Sequence, residues 1–66
     1  VKVAHHRWLR VIARALKEYK AAGKSLNDFE EDYGCTITYE GYSGGIKNVF
    51  FQNDSCKTAF MLKYNL

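Results

Sequence analysis

The sequence predicts an α+β fold: a long N-terminal helix and a short second helix packed on one face of a three-stranded antiparallel meander, in the order ααβββ. Three observations predict it. Apolar residues recur at helical spacing from His5 to Ala22, and the pattern switches to strict alternation at Cys35. Two turn-forming clusters, GYSGG at 41–45 and NDS at 53–55, then separate the alternating runs. The 66 residues make a single domain, 1–66, near the lower size at which a chain folds alone. Four Phe, five Tyr and one Trp supply the bulk that so small a core needs.

Each element has its own signal. On a wheel of about 100° per residue, Trp8, Ile12, Ala15 and Tyr19 fall together, flanked by Leu9, Leu16, Val11 and Ala22. Arg7, Arg10, Arg14 and Lys17 run down the opposite face. This helix is expected from about Ala4 to Ala22, with Gly23 in a left-handed cap and Lys20 and Lys24 at the negative end of its dipole. Ser25 then reads as an N-cap, with Asp28 at the capping-box position. Leu26, Phe29 and Tyr33 share one face of the second helix, which Gly34 ends.

The strands follow. CTITYE at 35–40 and IKNVFFQ at 46–52 pair as a hairpin, and KTAFMLKY at 57–64 is expected to be the third strand. In that register Ile37, Tyr39, Val49, Phe51, Phe60 and Leu62 face the long helix. Ile46, Phe50 and Met61 point outward on the uncovered face.

Charge is segregated along the chain. Residues 1–24 hold seven bases against one acid, a net of +6, whereas residues 25–66 hold three bases against six acids, a net of −3. The first helix is interrupted by Arg every third or fourth residue, which excludes a membrane span and a secretory signal peptide. Its Arg-rich, acid-poor start has the composition of a transit peptide, but is read as part of the fold. Two cysteines are too few for a secreted disulfide framework. Cys35 and Cys56 are expected to be reduced, held two strand spacings apart by the middle strand, and the location to be cytoplasmic.

Motifs for chemistry are sparse. His5 and His6 diverge on a helix, and neither has a ligand at i+3 or i+4, so no metal site is expected. The GKS at 23–25 lacks the preceding glycine of a phosphate-binding loop, having Glu18 there, and it follows a helix instead of a strand. Asn53-Asp54-Ser55 spells a glycosylation sequon that would need a secretory route. Glycines in the GYSGG loop need only a turn to explain them. With no nucleophile and base in a shared motif, neither catalytic residues nor cofactors are expected, and the chain reads as no enzyme.

Two binding readings remain. The first is a small interaction module that self-associates, a dimer being favoured, through Ile46, Phe50 and Met61, and that is free to bind a further protein. The second is a nucleic-acid binder whose contacts are Arg7, Arg10, Arg14 and Lys17, with His6 and Lys24 nearby. A helix-turn-helix version of the second fails, because its recognition helix would carry Asp28, Glu30, Glu31 and Asp32 toward phosphates.

The run SLNDFEEDYGCTI carries a short capped helix ending in Tyr-Gly directly into a strand, and the chain closes on the aromatic TAFMLKY. Together these resemble small uncharacterised proteins encoded by large tailed bacteriophages, over roughly the C-terminal two-thirds of the chain. The resemblance implies a small accessory protein that binds something, and no activity.

Overall fold

The computed structural model of the chain describes residues 1–42 and 44–66. The elements run β1 (Lys2–Val3), α1 (His6–Ala21), α2 (Leu26–Tyr33), β2 (Cys35–Tyr39), β3 (Ile46–Phe51) and α3 (Asp54–Tyr64). The fold is α+β with a three-stranded antiparallel sheet, ordered β1-β3-β2. The class and strand number match the expectation; the third strand is a different segment. It is β1, the start of the chain, which pairs Lys2 with Phe50 and Val3 with Val49. Val1 and Phe51 extend that pairing by exchanging both backbone hydrogen bonds, at 2.6 and 2.8 Å.

The segment expected as a third strand, 57–64, is helical instead. Its start is a capped one: the Asn53 side chain accepts from the Cys56 backbone N–H, with Asp54 in the first turn. Lys63 stands in the last turn, and Asn65 closes the helix in a left-handed conformation with φ 56°. The NDS cluster is therefore a helix start, not a tight turn between strands. Helical geometry also answers the packing question, because Phe60 and Tyr64 are one turn apart and reach the core together, their ring centroids 4.6 Å apart.

The first two helices follow their sequence signals. Ser25 and Asp28 form the reciprocal capping box, and Gly34 ends α2 with φ 61°. No side chain is tolerated at Gly34 on a second count. A Cβ there would meet the Cys56 Sγ at 2.7 Å. That contact corrects the strand-spacing argument for the cysteines: Cys56 lies on a helix that rests against the residue next to Cys35. Both thiols are nonetheless free.

All three helices contribute to one core on one face of the sheet. Ile12, Ala15 and Leu16 of α1, Phe29 of α2 and Phe60 of α3 are buried with Val3, Cys35, Ile37, Val49 and Phe51. Trp8, half-buried, stacks on Phe60 at 5.9 Å and meets Phe51 edge-on at 6.1 Å. The opposite face carries Lys2, Phe50 and Thr36 across the three strands, all exposed. No helix among the described residues is long and apolar enough to cross a membrane.

Candidate nucleic-acid interface

The periodicity that buries Ile12 and Leu16 forces the residues between them outward. Spacings of three, four and three residues confine Arg7, Arg10, Arg14 and Lys17 to one exposed stripe of α1. Ten residues of helix span about 15 Å. Arg7, Arg10 and Arg14 line a shallow groove of about 200 Å³ with Val11 at its floor. Among the described residues these three arginines and Lys17 make no ion pair and no side-chain hydrogen bond.

The acids of α2 are engaged elsewhere, whereas Glu18 stands on α1 itself, four residues past Arg14, without forming an ion pair with it. Asp28 accepts from the Ser25 backbone at 2.9 Å, Glu30 from the Ile37 backbone at 2.9 Å, and Asp32 from the Tyr19 hydroxyl at 2.8 Å. Glu31 accepts from the Asn27 amide at 3.2 Å. The backbone and hydroxyl bonds of Ser25 hold the Asp28 carboxyl below its ordinary pKa, so it remains a charged cap. Three of the six lysines outside the stripe are likewise occupied. Lys24 lies over the Tyr19 ring at 5.0 Å, Lys57 over Trp8 at 5.8 Å, and Lys63 over Tyr33 at 5.0 Å. Lys24 thus belongs to Tyr19 and leaves the basic face to α1.

A second groove, of about 280 Å³, lies where α1 passes the β2–β3 hairpin. Ala13 and Leu16 form its floor, Tyr39 and Ile46 its far wall, and Lys17 and Lys20 its rim. A bulge between Thr38 and Tyr39 sets Tyr39 opposite Ile46, placing both on the side of α1. This groove joins residues 13–20 to residues 39–46, so no local sequence signal marks it. Gly44 and Gly45 of the GYSGG motif border it, and the Ser43 of that motif lies outside the described residues.

The other expected site residues are dispersed. Ile46 faces the second groove, Phe50 lies on the open sheet face at 44% exposure, and Met61 sits half-buried on α3. The adjacency of Phe50 and Met61 depended on a strand at 57–64, and it goes with that strand. Both histidines are exposed, and His5 is the N-cap of α1, its Nδ1 accepting from the Arg7 backbone N–H at 3.3 Å.

One constellation has no counterpart in the sequence reading. Lys63 donates to the Tyr33 hydroxyl at 2.8 Å, and that hydroxyl lies 3.1 Å from the Tyr64 hydroxyl. Such a lysine-supported phenol is able to hold or release a proton, but neither groove reaches it. Cys35 is no better placed for chemistry: burial, the charge of Glu30 and the neighbouring Cys56 push its thiol up to about 11. Comparison with protein-family models, with curated proteins and with solved structures finds no match, so the residues themselves carry the functional argument.

Proposed function

We propose that this protein is a small non-catalytic nucleic-acid-binding module, with the outer face of α1 lying along a phosphate backbone. The observation that carries the reading is the contrast in commitment between charges. The α2 acids accept internal bonds and Lys24, Lys57 and Lys63 lie over rings, whereas Arg7, Arg10, Arg14 and Lys17 are left side by side in water. A guanidinium fork suits phosphate oxygens, and several in line along about 15 Å suit a run of them. A cytoplasmic location belongs to the same reading.

Titration of labelled duplex and single-stranded probes at several salt concentrations tests it. Arg10→Ala and Arg14→Ala should weaken binding alike for unrelated sequences, each making the salt slope shallower by about one unit. Undetectable affinity for every probe at low salt removes the proposal. Self-association through the sheet face that carries Phe50 is the competing reading, supported by that aromatic's 44% exposure. Light scattering on the unmutated protein tests that one.

A further inference from the structure

We infer that the nucleic acid is a single strand, one of whose bases occupies the groove between α1 and the β2–β3 hairpin. This rests on the reading of α1 as a phosphate-binding surface. Lys17 joins the two features, being the last member of the basic stripe and part of the groove rim. A backbone followed along Arg7, Arg10 and Arg14 therefore arrives at the lip of an apolar slot with a second cation, Lys20, beside it.

The lining fits a flat aromatic ring better than a phosphate. Leu16 and Ile46 give apolar contact, and Tyr39, 39% exposed, offers part of its ring as a stacking surface. The loop side of the slot is glycine at 44 and 45, and a Cβ at Gly44 would meet nothing within 4 Å. The volume, about 280 Å³, lies near the lower end of small-ligand sites and suits one ring system. Bases in a duplex are stacked and paired and cannot enter such a slot. Bases of a single strand swing out at little cost, which is how a cationic track and an aromatic platform work together.

The test is fluorescence anisotropy at low salt with a labelled oligodeoxythymidine and the duplex it forms with its complement. The single strand should bind about tenfold tighter per stacked base, and Tyr39→Ala should remove that advantage while leaving duplex affinity unchanged. Tyr39→Leu, which keeps apolar bulk without the ring, should behave like Tyr39→Ala if stacking is the interaction. Circular dichroism of both variants reports whether the fold is retained, and Tyr39 is exposed enough for it to be. Equal affinity for the two probes overturns the inference alone, as does a Tyr39→Ala variant that still prefers the single strand. Absence of binding to either probe overturns the phosphate-binding reading and the inference with it.

Discussion

At Tyr33, burial raises the phenol pKa, but hydrogen bonds with Lys63 and Tyr64 and the charge of Lys63 lower it by more, leaving it below its ordinary value of 10.0. Its neighbours move the other way. Tyr19 is raised chiefly because its hydroxyl donates to Asp32, and Tyr64 chiefly by burial and then by the bond to Tyr33. The depressed Tyr33 contributes stability that is present above its unfolded value and lost as pH falls through the folded one. The raised pair contribute stability that is full below pH 10 and lost as pH climbs through their folded values. Stability should thus rise slightly just below pH 10 and fall beyond it. Spectrophotometric titration of tyrosinate should resolve an early step that Tyr33→Phe abolishes and Lys63→Met moves upward. A single step near pH 10 for all five tyrosines would show that the cluster does not perturb Tyr33.

Among the elements, α1 and α2 were legible because 3.6-residue periodicity and capping chemistry agree there, β2 because its alternation is strict, and β3 because an apolar run lies between two turn-forming clusters. The closing segment was not, because Phe60, Leu62 and Tyr64 alternate like a strand while Cys56, Phe60 and Tyr64 repeat like a helix. The cap residues Asn53, Asp54 and Asn65 break that tie, and they are also common turn residues. β1 was invisible at two residues, too short for any period to register. Substitution separates the two readings of the closing segment. In a helix Phe60 is in the core and Leu62 is 74% exposed, whereas a strand would bury both on one face. Phe60→Ala should cost about 3–5 kcal/mol, enough to unfold much of a domain this small. Leu62→Gln should stay within about 0.5 kcal/mol of the parent in chemical denaturation. A large loss from Leu62→Gln would return the segment to the sheet.

For the whole molecule, the sequence disclosed the basic stripe and concealed what surrounds it. A stripe on one helix is fixed by periodicity alone, whereas the groove beside Lys17 exists only because a hairpin some 20 residues downstream folds back against α1. The expected apolar patch failed for the converse reason, since Phe50 and Met61 depended on a pairing that tertiary packing did not make. The stripe also has an energetic signature. Arg7–Arg10, Arg10–Arg14 and Arg14–Lys17 are like-charge pairs at helical spacing, each destabilising by about 0.2–0.5 kcal/mol at low salt, and Glu18, four residues past Arg14, is the one carboxylate of α1 set against them. Arg10→Gln relieves two of the three and should raise Tm by about 2–6 °C in low salt, a gain that fades as added salt screens the stripe. A polyanion should do more than screening can. At matched ionic strength, inorganic polyphosphate should raise the Tm of the parent protein above its value in chloride, because an anion that binds only the folded state stabilises it by mass action. In Arg10→Gln that extra rise should shrink. A parent protein that responds identically to polyphosphate and chloride has a stripe that is merely solvated, and its helix then serves the core alone.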